Sequence, residues 1–89
     1  MEEFDFSKED KYRIAEYIYS WQSDILIKSD GYNLLEVFEK HKIVDSDKIV
    51  ELKKDIANSN GLSTMIILEE KVARKQRTRI MQEYYQGAL

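Results

Sequence analysis

Cysteine and proline are absent from this 89-residue chain, and only three glycines and one histidine are present. Without cysteine there is no disulfide, no thiol nucleophile and no thiolate metal ligand, and the redox compartment stays open. A lone His41 argues against a zinc site, which draws on His or Cys more than once. No apolar run approaches the roughly 20 residues that span a bilayer. The acidic start, Glu2-Glu3-Phe4-Asp5-Phe6, is unlike the basic opening of a secretory signal, so the expected location is cytoplasmic. No carboxylate pair, Ser/His/Asp set or phosphate-cradling glycine loop is visible, and the chain reads as non-catalytic, without cofactor or metal.

What is present is helical in character. Proline-free chains rich in Lys, Glu, Ile and Leu favour helix. The hydrophobic content is 43%, with a mean hydropathy of −0.58. This fits one small globular domain over residues 1–89. Asp30-Gly31 and Asn60-Gly61 sit between helical patterns and read as helix stops.

Residues 1–6 form a flexible arm whose Phe4 and Phe6 fold back on the core. Ser7 and Asp10 make an acidic capping box for a first helix over about 8–27. Ile14, Ile18, Trp21 and Ile25 give it an apolar stripe. A second helix opens at Asn33, with Glu36 at the capping-box position and Tyr32 and Val37 as a staple, and runs to about Lys42. It buries Leu34, Leu35 and Phe38. Asp45 caps a third helix with Ser46 at its first position, and Ile49, Leu52 and Ile56 face inward. Ser63 caps the last. Its apolar pattern lapses over Arg74–Arg79 and resumes at Ile80, which leaves two options: one helix over 64–86 whose end projects, or two helices meeting near Lys75. The fold expected is an all-α bundle of four or five helices with short loops and a long C-terminal helix. His41, near a helix end, is expected to meet terminal carbonyls.

Phe38, Asp45-Ser46 and Val50-Glu51-Leu52 lie in a register that resembles the modification site of acyl, peptidyl and D-alanyl carrier proteins. A weaker continuation runs through Glu70-Lys71-Val72 and Gln76. The resemblance implies a phosphopantetheine arm on Ser46 and an acidic helix, with Glu51, read by partner enzymes. The residue after the serine, apolar in that family, is Asp47 here. Capping alone accounts for Asp45 and Ser46 without chemistry.

Three other features compete. The helix–turn–helix spacing around residues 43–45 matches DNA-reading motifs, but Asp47, Glu51 and Asp55 offset Lys48, Lys53 and Lys54, and the net charge is −3. Nucleic acid is therefore the lesser alternative. Lys71, Arg74, Lys75, Arg77 and Arg79 form a basic run, to be balanced by the acidic N-terminus through Glu2, Glu3 or Asp5. Many tyrosines and one tryptophan suit an interface, where one end of the ring stays wet. The reading that follows is a helical protein-interaction or regulatory module: an accessory subunit, inhibitor or chaperone-like binder. It meets a partner protein or a second copy through Tyr17, Tyr19, Trp21, Arg74, Arg77, Ile80, Tyr84 and Tyr85.

Overall fold

The first helix begins where the capping box places it. In the computed structural model, which describes residues 3–25, 27–59 and 61–89, the Ser7 hydroxyl accepts from the Asp10 N–H at 3.1 Å. Asp10 Oδ2 accepts from the Ser7 N–H, also at 3.1 Å. Five helices follow: α1 Lys8–Gln22, α2 Lys28–Lys40, α3 Ser46–Asn58, α4 Leu62–Lys71 and α5 Arg74–Tyr85. Among the described residues all regular structure is helical. None of these helices is long and apolar enough to cross a membrane.

α1 stops at Gln22, short of the expected residue 27. Asp24 adopts a left-handed conformation, φ 56°. The Ile25 N–H reaches back to the Ser20 carbonyl (3.1 Å) and the Asp24 N–H to that of Trp21 (3.3 Å). These are the two bonds of a Schellman end, usually made at glycine. Ile25, expected to extend the buried stripe, therefore falls outside the helix and is 62% exposed. α2 ends the same way, with Lys42 at φ 53° and the Ile43 N–H bonded to the Phe38 carbonyl at 2.8 Å.

The start of α2 corrects a second expectation. The helix opens at Lys28, not Asn33, so Asp30-Gly31 lies inside it. Gly31 is no stop. A Cβ there would stand 3.0 Å from Ile56 Cδ1, so the missing side chain lets α3 approach α2 closely. The Asp30 carboxylate accepts from the Ser20 hydroxyl at 2.6 Å, joining the end of α1 to the start of α2.

α3 is as expected: the Asp45 side chain accepts from the Lys48 N–H at 2.8 Å, and Ser46 is the first helical residue. α4 is capped by Gly61 in the left-handed region (φ 71°), not by Ser63, which lies in its first turn. Asn60, expected to help end α3, lies outside the described residues.

The C-terminal segment is two helices, not one over 64–86. Val72 and Ala73 are extended between α4 and α5. Val72 is fully buried. The bend lets Ile80, 2% exposed, enter the core beside α1 instead of projecting. It is secured by Arg77, whose backbone N–H bonds to Ala73 O (3.0 Å) and whose side-chain Nε donates to Val72 O (3.0 Å).

The core joins Ile14, Ala15 and Ile18 of α1 to Leu34, Leu35 and Phe38 of α2, Leu52 of α3, Leu68 of α4 and Ile80 of α5. α1 packs on α2 and α5, α2 on α3, and α3 on α4.

Lys42 carries a Cβ in a conformation that costs L-residues about 1–2 kcal/mol. Lys42→Gly removes that strain but frees the unfolded chain, for a net gain of about 0.5–1 kcal/mol in urea unfolding. Asp24→Gly gains less, because aspartate tolerates the left-handed region. A loss of stability in Lys42→Gly contradicts the Schellman reading.

Candidate functional site

Tyr12, Glu16 and Tyr19 recur along one face of α1 at helical spacing, away from the buried stripe of Ile14 and Ile18. The bend at Val72 sets the end of α5 against this face. Tyr84 lodges between the two α1 tyrosines, with ring centroids 6.0 Å from each and tilts of 57° and 53°. Its hydroxyl donates to Glu16 Oε2 at 3.0 Å. Tyr85 meets Tyr84 at 5.8 Å and Tyr19 at 6.4 Å, and its hydroxyl donates to Gln22 Oε1 at 3.4 Å. Four aromatic rings thus form one continuous surface. Tyr12 is 44% exposed, Tyr19 45% and Tyr85 63%, whereas Tyr84 is half-buried.

The electrostatics of this surface are negative. Partial burial and the hydrogen bond to Glu16 push the Tyr84 hydroxyl up to about 12. The Glu16 carboxylate also raises Tyr12. Lys11 at the edge is paired with Glu83 at 3.5 Å. Arg13 is held by Glu9 (2.8 Å) and Glu36 (3.3 Å).

Beside Gln22 the surface continues into a cleft of about 190 Å³ between α1, α4 and α5. Trp21, Met65 and Leu68 make its apolar wall, and Gln22, Glu69 and Arg77 its polar rim.

Of the eight residues picked from sequence, Tyr19, Tyr84 and Tyr85 come together in the cluster, and Trp21 and Arg77 in the cleft. Arg74 is exposed at the opposite end of α5. Tyr17 and Ile80 are corrected to core residues, 3% and 2% exposed. The Tyr17 hydroxyl donates to the Gly61 carbonyl at 3.1 Å and ties α1 to the α3–α4 turn. Burial, then the charge of Asp55, raises its pKa. Tyr12, one of the tyrosines suited to an interface but not among these eight, joins the cluster, and its spacing to Glu16 and Tyr19 marks a second face of α1. Ser46 is exposed at the first turn of α3, remote in sequence from this surface.

The basic run is dispersed. Arg79 pairs with Glu3 of the N-terminal segment. Glu2 lies outside the described residues. Gln76, noted in the sequence only for the carrier resemblance, is 5% exposed. Its side-chain amide grips the Phe4 backbone from both sides, accepting from the N–H (3.2 Å) and donating to the carbonyl (2.7 Å). This holds the segment ahead of α1 in place, with Phe4 stacked on Phe6 at 5.3 Å.

A second polar cluster lies beneath that segment. Asp10 is 1% exposed. Besides the Ser7 N–H, its carboxylate accepts from Lys40 Nζ (3.2 and 3.3 Å) and lies 2.8 Å from His41 Nε2. A carboxylate only accepts, so Nε2 carries the proton. His41 therefore turns its ring to Asp10, not to the terminal carbonyls of α2, and Phe6 packs edge-on against it at 4.9 Å. Among the described residues no group of three or more His, Cys, Asp or Glu side chains could hold a metal ion.

Comparison of the chain with protein-family models, with curated proteins and with solved structures gave no match.

Burial pushes the Asp10 carboxyl up, but the bonds from His41, Ser7 and Lys40 outweigh it and hold the pKa at about 2. A depressed folded-state pKa gives stability that is complete above the ordinary carboxylate range and lost as pH falls toward 2. The contribution is on the order of 2 kcal/mol. Asp10→Asn is therefore destabilising at pH 7 in urea titrations, and the gap to the parent narrows as pH falls from 4 to 2. A gap independent of pH rejects this account.

Proposed function

We propose that this chain is a non-catalytic helical docking module, and that its α1/α5 tyrosine surface binds a partner protein. The observation that carries the reading is the continuous cluster of Tyr12, Tyr19, Tyr84 and Tyr85, three of them 44–63% exposed. Tyrosine offers a large apolar ring, few rotamers and a hydroxyl that tolerates water, which is why it concentrates at the energetic centres of interfaces. The hydroxyls of Tyr84 and Tyr85 are anchored to Glu16 and Gln22, so these rings are already ordered and lose less freedom on binding. The Trp21 cleft alongside offers a concave seat next to a flat face. An accessory subunit, an inhibitor and a chaperone-like binder all use such a surface.

The exposed rings can be changed without touching the core. The double variant Tyr19→Ser/Tyr85→Ser retains the parental melting temperature within a few degrees. It loses at least tenfold in affinity for a partner recovered with the parent chain, measured by titration calorimetry. A control at Lys53 and Lys54, exposed on α3, binds as the parent does. Equal binding by the double variant rejects the tyrosine surface.

A second reading rests on the exposure of Ser46 beside its capping neighbour Asp45, the position at which the carrier-protein resemblance would place a phosphopantetheine arm. Co-expression with a broad-specificity phosphopantetheinyl transferase would then raise the intact mass by one phosphopantetheine, and Ser46→Ala would abolish the gain. An unchanged mass removes this reading.

A further inference from the structure

The tyrosine surface carries a charge preference as well as an aromatic one. The face of each ring presents the negative lobe of its quadrupole. The rings are tilted against one another by 53–69°, so they expose faces as well as edges. Glu16 sits among them. Its carboxylate is hydrogen-bonded by the hydroxyls of Tyr84 and Tyr12, and among the described residues no cation pairs with it. Both neighbouring cations are engaged by other acids, Lys11 by Glu83 and Arg13 by Glu9 and Glu36. The hydrogen bond to Glu16 and its charge lead the raised pKa of Tyr12, and for Tyr84 Glu16 adds to the effect of burial. An acidic partner would meet repulsion from Glu16 and from the ring faces. A wholly apolar one would bury the Glu16 charge without a counter-charge, which is costly.

We infer that the occupant of the Tyr12–Glu16–Tyr19–Tyr84–Tyr85 surface is a cationic segment of a partner protein, with an arginine side chain stacked on the exposed tyrosine rings and hydrogen-bonded to Glu16. Arginine suits the site better than lysine. Its planar guanidinium stacks on an aromatic face and still directs N–H donors sideways to a carboxylate. This inference rests on the docking role proposed for the same surface and adds the chemistry of the ligand.

The chain's own exposed cations are another source of the same chemistry. Arg74 and Lys75 stand at the far end of α5 from Tyr84 and Tyr85. A second copy using them would bind head to tail and form open chains unless the rotation closed a ring. Sedimentation separates this case from a partner segment.

The test is a titration of the isotope-labelled full chain with hexa-arginine, hexa-glutamate and an uncharged Ser/Leu peptide of equal length, followed by amide and side-chain NMR shifts. Hexa-arginine is expected to shift Tyr12, Glu16, Tyr19, Tyr84 and Tyr85, with an affinity that falls as salt is raised. Glu16→Gln weakens it at least fivefold. Tyr19→Leu/Tyr85→Leu, which keeps apolar bulk but removes the rings, also weakens it at least fivefold, whereas Tyr19→Phe/Tyr85→Phe binds as the parent. Shifts confined to other acids such as Glu69 and Glu70, or equal binding by the Leu and Phe variants, overturn the inference. So does concentration-dependent self-association that hexa-arginine does not displace. If the uncharged peptide takes the surface instead, the cationic preference fails and the docking role stands. If no peptide shifts the surface and the Tyr19→Ser/Tyr85→Ser variant keeps its partner, both fail.

Discussion

One buried carboxylate holds the N-terminal half of the molecule together. Asp10 closes the capping box of α1 with Ser7 and takes Lys40 and His41 from the end of α2. A charge 1% exposed is tolerable only when its acceptor sites are filled by donors, and here they are filled from two helices at once. The consequence extends outward. His41, fixed by Asp10, becomes the wall against which Phe6 packs, and Phe6 in turn supports Phe4. From the other side Gln76 clamps the Phe4 backbone. The segment before α1 is therefore held between His41, just past α2, and Gln76 of α5, with Phe4 and Phe6 folded back on the core as its aromatic composition suggested.

Local chemistry that involves a side chain and a backbone group a few residues apart was legible from the sequence. The Ser7–Asp10 box and the Asp45 cap are of this kind, and both helices start where those residues predict. Apolar spacing likewise located Leu34, Leu35, Phe38, Ile49, Leu52 and Ile56 in the core. Of the two glycines expected to stop a helix, Gly61 lies between α3 and α4 as expected, whereas Gly31 ends no helix. Gly31 is in mid-helix because Ile56 needs the space, and the true stops fall on Asp24 and Lys42, residues that carry a Cβ into the left-handed region. Nothing about an isolated aspartate or lysine announces that conformation. It is imposed by the need to turn the chain so that Ser20 can meet Asp30, and Phe38 the core.

The break between α4 and α5 was half legible. A lapse in apolar pattern flagged residues 74–79, but the bend is two residues earlier, at a valine and an alanine that show no breaker signal. Tertiary demand decides it. A straight helix would carry Ile80 away from α1, and burying one isoleucine is worth about 1.5–3 kcal/mol. That exceeds the cost of leaving a few terminal backbone groups of the two helices to water. Val72, with a β-branched side chain suited to extended backbone, is the residue at which the chain can turn and still bury a large group.

That bend also makes the candidate surface. Tyr12 and Tyr19 belong to α1, and Tyr84 and Tyr85 to the last turn of α5, more than sixty residues away in the chain. They meet only because α5 folds back on α1, with Glu16 and Gln22 waiting to receive the two hydroxyls. Aromatic richness in the sequence could point to an interface but could not sort the rings. Two candidates, Tyr17 of α1 and Ile80 of α5, went inward: Tyr17 to bond Gly61 between α3 and α4, Ile80 to join the core. The remaining rings stay outside because the positions facing inward are already filled. A carboxylate at their centre is then unfavourable for burial against another apolar face and favourable for a cation. This asymmetry makes the ligand's charge, and not merely the presence of a ligand, a question the surface can answer.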